Sequence, residues 1–227
     1  MPTSLLTLFC VRSLPLVISL VLTRPLAGAE HIVAPPHAAI SPDAGLLIRQ
    51  ALQAAGGEAH LLRHFQMKDR VLIGEQDTGA GNHRESVLDA PRAWWLKTKS
   101  GHSERTGEPA KYLVWAWTLQ ALVDPASRIE VVSPVTEGAI TLRGLRVSGS
   151  VSPAMELYFA PDSHLLVRID WRNDIHRFSD WKTLPRCTRY SSRVVGSRKA
   201  TGKIWYFDEI LEITPLDALP EGLPPVR

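Results

Sequence analysis

The residues best suited to chemistry in this chain are seven tryptophans: Trp94, Trp95, Trp115, Trp117, Trp171, Trp181 and Trp205. An indole offers a large apolar face and an N–H that wants an acceptor. Several of them on one concave surface suit an apolar small-molecule cavity. A curved sheet filled by its own side chains uses the same residues, so the sequence leaves both arrangements open. The other reactive side chains form no set. His60 and His64 are spaced i,i+4, but no neighbouring Glu or third ligand completes a zinc site. His31, His37, His83 and His102 fall in expected loops with Glu85 and Glu104, and nothing in the sequence brings them together. There is no Gly-x-Ser-x-Gly elbow; Gly149-Ser150-Val151 and Gly196-Ser197-Arg198 read as turns. Asp208 and Glu209 point to opposite faces of one strand. The stretch from Gly79 to Arg84 lacks the spacing of a phosphate loop. Cys187 is a lone thiol near Arg186 and Arg189; such a thiol is more often a small hydrophobe than a nucleophile. No catalytic residue, metal or cofactor is expected, and the chain reads as a non-enzyme.

Where such a protein works is suggested by its first 29 residues. The apolar run 14–22 follows Arg12, ends at Arg24-Pro25, and precedes Ala27-Gly28-Ala29. That is the order of a cleavable secretory signal. The run is short for a bilayer span, which takes about 20 apolar residues. Cys10 precedes the run and follows Phe9, which argues against a lipobox. Cleavage after Ala29 leaves a chain of about 200 residues, enough for one sizeable core. The full chain carries a formal charge of +3, and losing Arg12 and Arg24 brings it close to neutral. A near-neutral chain gives no case for nucleic acid. With only Cys187 left, no intramolecular disulfide can form. A periplasmic or secreted protein with no membrane segment after cleavage is expected.

The elements that must position the tryptophans follow from spacing. Residues 30–41 contain Pro35-Pro36 and read as a linker. Ser41-Pro42-Asp43 is a helix start, and a helix over 42–55 ends at Gly56-Gly57. Its stripe of Leu46, Leu47, Gln50, Ala51 and Ala54 is apolar but lightly built. It is expected to dock across the mouth of the sheet, as a movable lid or as a fixed plug. After it, strands are expected over 65–75, 92–99, 112–122, 128–132, 141–148, 154–159, 164–171, 175–181, 188–195 and 203–213. The run 112–122 alternates Leu113, Trp115, Trp117 and Leu119 with Tyr112, Val114, Ala116 and Thr118. Short, evenly spaced strands imply a mainly β (α+β) fold: a large antiparallel meander curled into an incomplete or closed barrel.

At this point the chain resembles the LolA/LolB-like superfamily of periplasmic lipoprotein carriers and their relatives. The passages that carry the resemblance are the helix from Ile48 to Glu58, Trp95-Leu96-Lys97-Thr98, the hairpin from Leu157 through Pro161-Asp162 to Leu166, and Ile204-Trp205-Tyr206-Phe207-Asp208-Glu209-Ile210. The resemblance spans about residues 42–223, leaving 224–227 as a tail. It implies an incomplete barrel lidded by the helix and a role in holding acyl chains or a lipidated protein. The carriers' gating arginine has no unique counterpart; Arg70, Arg92, Arg143 and Arg168 are candidates.

The expected function is therefore a non-enzymatic exported binding protein for a lipid, acyl chain or lipidated protein. The alternative is an envelope sensory or structural interaction module with a filled barrel. Choosing the bulkier apolar face of each strand makes Trp115, Trp117, Leu119, Met155, Leu157, Phe159, Val167, Ile169, Trp171, Trp205 and Phe207 the expected cavity walls.

Overall fold

A computed structural model of the chain describes residues 41–105 and 107–226. The expected signal segment and most of the expected linker lie outside them. Among the described residues, two helices accompany one sheet of eleven strands. The elements in chain order are α1 (Pro42–Ala54), β1 (His64–Ile73), β2 (Asn82–Asp89), β3 (Ala93–Thr98), β4 (Gly101–Glu104), α2 (Glu108–Trp117), β5 (Arg128–Glu137), β6 (Ile140–Ser148), β7 (Met155–Phe159), β8 (Leu166–Trp171), β9 (Asp174–Thr183), β10 (Arg189–Arg198) and β11 (Ile204–Leu216). None of the described helices is long and apolar enough to cross a membrane.

The strand order is β4-β3-β2-β1-β11-β10-β9-β8-β7-β6-β5, and every neighbouring pair is antiparallel. The sheet is a meander cut and rejoined where β1 pairs with β11. Its edges are β4 and β5, so it does not close. The chain passes from one edge to the other through α2. This is the incomplete antiparallel barrel with an N-terminal helix that the sequence implies.

α1 starts as expected: the Ser41 hydroxyl accepts a hydrogen bond from the Ala44 N–H at 3.2 Å, and Pro42 opens the first turn. The face it buries differs from the expected stripe. Ala44, Leu47, Ile48, Ala51 and Leu52 point into the core, whereas Leu46 is 44 % exposed and Gln50 and Ala54 are half-buried. The helix is rotated so that Ile48 and Leu52 face inward in place of Leu46 and Gln50, which buries more apolar area.

The clearest correction concerns 112–122, which is helix rather than strand: α2 covers Glu108–Trp117, and a short 3-10 turn follows at Gln120–Leu122. Its run of apolar residues satisfies both periods, because α2 is apolar on two sides. Lys111, Trp115 and Ala116 face the core, while Ala110, Leu113 and Val114 sit on the other side. The deciding signal is Glu108-Pro109, an acidic residue and a proline in the first turn. Leu119, at φ 61°, takes the left-handed conformation that ends the segment. Edge contacts hold α2: Trp117 packs on Phe65 with ring centroids 6.5 Å apart, and Tyr112 lies 6.3 Å from Trp171.

Candidate functional site

A cavity of about 440 Å³ lies between α2 and the strands around the β1–β11 junction. Ala110, Leu113 and Val114 of α2 form one wall. Trp94 of β3, Trp171 at the end of β8 and Trp205 of β11 bring indoles to the other side, with Val71 and Ile73 of β1 between them. Two of these rings are anchored by their N–H groups. Trp171 Nε1 donates to the Pro153 carbonyl at 2.9 Å, and Trp205 Nε1 donates to Asp174 Oδ1 at 3.1 Å.

The remaining wall is ionic, and it is built by inward-pointing charges on β1, β2 and β11. Phe65, Met67 and Asp69 alternate onto the same face of β1, so Asp69 occupies a core position and is fully buried. Burial of a carboxylate requires a partner. Arg84 on β2 supplies it: its Nε donates to both Asp69 oxygens at 3.1 Å, and its Nη2 also bonds Asp69 Oδ2 closely. The same Nη2 reaches Asp208 Oδ2 on β11 at 3.3 Å. Burial, and then the neighbouring Asp69 charge, push the Asp208 carboxyl up to about 8. Arg84 is thus shared by two carboxyl groups, of which Asp208 is shifted toward its protonated form.

Beside this cluster, His176 Nδ1 and the Tyr206 hydroxyl are 2.7 Å apart. Burial lowers the His176 imidazole to about 4, so it is neutral at physiological pH. Burial also pushes the Tyr206 phenol up. Tyr206 can lie flat because its neighbour across the strand pair is Gly196. A Cβ there would stand 1.8 Å from the Tyr206 ring.

Arg105, just after β4, completes the polar end. Its guanidinium carbon sits 4.6 Å from the centre of the Trp94 ring, with that of Arg84 at 5.3 Å from the same ring. Arg172, in the β8–β9 turn, stacks on Trp171 at 4.3 Å.

The structure scatters the expected wall residues. Trp171 and Trp205 line the cavity. Met155, Leu157, Phe159 and Ile169 are fully buried in a packed core that also holds Leu47 and Ala51 of α1. Trp115, Trp117 and Leu119 join that core from α2 and its end, not from a strand. Val167 is displaced by an irregularity in the β7–β8 pairing: Tyr158 pairs with Arg168 and Phe159 with Leu166, so Leu166 takes the inward position. Phe207 lies on the opposite face of β11 from Tyr206 and Asp208, beneath Arg193 at 5.7 Å. Bulk chose the wrong face of β11, because its inward positions carry Tyr206 and Asp208.

The residues missed by sequence reasoning are Asp69, Arg84, Arg105, His176, Tyr206 and Asp208. A signal existed for Asp69: an acid in phase with Phe65 and Met67. Of the four candidate gating arginines, Arg143 alone bonds α1, its Nη1 donating to Gln50 Oε1 at 3.2 Å. Arg70 joins Asp77 and Glu209, Arg92 joins Asp89, and Arg168 joins Asp170 and Glu137. Expected as a lid over the cavity, α1 contributes no residue to its lining. Cys187 is exposed and also lies outside that lining. Among the described residues no three His, Cys, Asp or Glu side chains converge as metal ligands.

No protein-family model matches this sequence, and no curated protein is similar to it in sequence. Solved structures similar in fold include a LolA superfamily protein from Nitrosomonas europaea, at 9% identity and a TM-score of 0.49, covering 78% of this chain and 95% of that one. A DUF1329 family protein from Desulfovibrio piger matches with the same identity, coverage and score. A domain described as sorting outer membrane lipoproteins, from Vibrio parahaemolyticus, matches at 8% identity and a TM-score of 0.46, over 78% of this chain and 95% of that one.

Proposed function

We propose that this protein is a non-enzymatic, exported binding protein that holds an acyl chain, a lipid or the lipid of a lipidated partner in the cavity beside α2. The observation that carries the reading is the cavity itself: about 440 Å³, walled by three indoles and the apolar side of a helix. Small-molecule sites occupy roughly 300–1,000 Å³ and are mostly apolar with a few placed polar groups. The helix that forms one wall spans the connection between the two sheet edges, so a shift of α2 would open the cavity without breaking a strand pair. The alternative, a filled barrel serving protein contacts alone, fits the α1 side of the molecule and leaves the α2 side without a purpose.

Native mass spectrometry of protein purified gently from cell envelopes tests the reading. A co-purifying mass that organic extraction removes is expected. Repeated absence of any bound mass, together with no uptake of a fluorescent acyl probe by the extracted protein, would overturn it.

A further inference from the structure

The charges at the polar end of the cavity do not balance. Most ionisable side chains there are already matched. Asp69 and Asp208 share Arg84. Asp174 accepts from Arg198 Nη1 at 2.8 Å and from Trp205 Nε1. His176 is engaged with Tyr206. Two further cations line the cavity, Arg105 and Arg172, and among the described residues no acceptor hydrogen-bonds either guanidinium. Each is instead laid on an indole, Arg105 on Trp94 and Arg172 on Trp171. Stacking fixes a guanidinium's plane and leaves its N–H edge free for a bidentate oxyanion. Arg105 is partly removed from water; Asp69 and Asp208 lie near enough to act on it, but both are already bonded by Arg84, and α2 adds no acid to the lining.

Resting on the proposed function, we propose that the polar end of this cavity is a head-group site for a single-chain amphiphile ending in an oxyanion, a carboxylate or a phosphate, bound by Arg105, with Arg172 adding positive charge at the exposed rim and the chain between α2 and Val71, Ile73 and the indoles. A neutral head would leave both guanidinium edges unmatched, and a cationic one would be repelled.

Four probes of equal chain length separate this from the parent reading: decanoate, decyl phosphate, decanol and decyltrimethylammonium, each titrated at pH 7 into the delipidated protein and followed by tryptophan fluorescence. At least one anion is expected to bind about tenfold or more tightly than decanol, with the quaternary amine weakest. Whichever anion binds more tightly assigns the source, a fatty acid or a phosphate-headed lipid. Arg105→Gln with Arg172→Gln should remove that preference while leaving decanol affinity within about twofold. Should the pair fail to fold, Arg172→Gln alone, in an exposed turn, should still weaken anion binding by about threefold. Equal affinity for decanol and both anions would overturn the head-group assignment and leave the apolar cavity standing. Binding of none of the four would overturn both.

Discussion

α1 covers packed interior alone, whereas α2 is packed on one side and borders a cavity on the other. In the packed core that both helices join, side chains interlock: Leu47, Ala51, Phe65, Leu145, Met155, Leu157 and Phe159 are each no more than 1 % exposed. Beside α2 the sheet presents Arg84, Asp208, His176 and Tyr206, and the helix meets them with Ala110, Leu113 and Val114 across an open volume. One sheet thus provides a close-packed anchor on one side and a partly polar cavity on the other. On the proposed reading, stability and binding are carried by different residues, and they should respond to different changes.

The largest effect is expected in the packed region. Phe159→Ala should cost about 3–5 kcal/mol in chemical denaturation, the range for truncating a buried aromatic. Binding per folded molecule should be unchanged. Leu113→Ala, on the cavity side of α2, should cost about 1 kcal/mol or less, since little packing is lost where space already exists, and should instead weaken acyl-probe binding. If the two substitutions cost the same, the distinction between the regions fails.

Gly196→Ala comes next. The added methyl must displace the Tyr206 ring, so about 1–3 kcal/mol is expected from overpacking alone. The His176 contact should be lost with it. A tyrosine that stays in place, seen as an unchanged His176 signal in NMR, would contradict this.

The pH dependence of stability belongs to the cavity region. Asp208 has a folded value of about 8, above an ordinary carboxylate value near 4, so its contribution is present at low pH and lost as pH rises from about 4 to about 8. His176, lowered to about 4, acts in the opposite sense: its contribution is present above about 6.5 and lost as pH falls toward 4. The two oppose each other below about 6.5. Between about 6.5 and 8 only the Asp208 contribution remains, and stability should fall with rising pH by at most about 1.4 kcal/mol per unit. Asp208→Asn should flatten that slope, and Phe159→Ala should not. Anion binding should weaken over the same interval, because ionised Asp208 offsets Arg105.

The contrast also explains what could be read from the sequence. Strands β7 and β8 were legible because Met155, Leu157, Phe159, Leu166 and Ile169 make an apolar buried set, and the hairpin around Pro161-Asp162 stands out between them. β2 was not legible. Its first five residues, Asn82 to Ser86, are all polar, yet Arg84 and Ser86 turn inward, because that end of the sheet lines an ionic wall. The short β4 edge strand is polar too. α2 was misread because burial on two sides erases the helical period, and Trp115 and Trp117 were then assigned to a strand. The candidate site is thus least legible where it is most polar: the cavity wall carries charges at positions where a core would put leucine.

The smallest effect separates the helices dynamically. Amides of Leu47 to Leu52 in α1 should exchange as slowly as those of β7, whereas amides of Leu113 to Ala116 in α2 should exchange faster and slow on addition of an acyl probe. Equal protection in both helices, insensitive to the probe, would mean that α2 is a fixed wall.

The most direct measurement is methyl NMR during titration with decanoate. Ligand in the cavity beside α2 should shift the methyls of Leu113 and Val114 and broaden the Trp94 and Trp171 indole signals, while those of Leu47, Leu145 and Leu157 stay still. Shifts confined to Leu47, Leu145 and Leu157, or none at saturating ligand, would contradict the account.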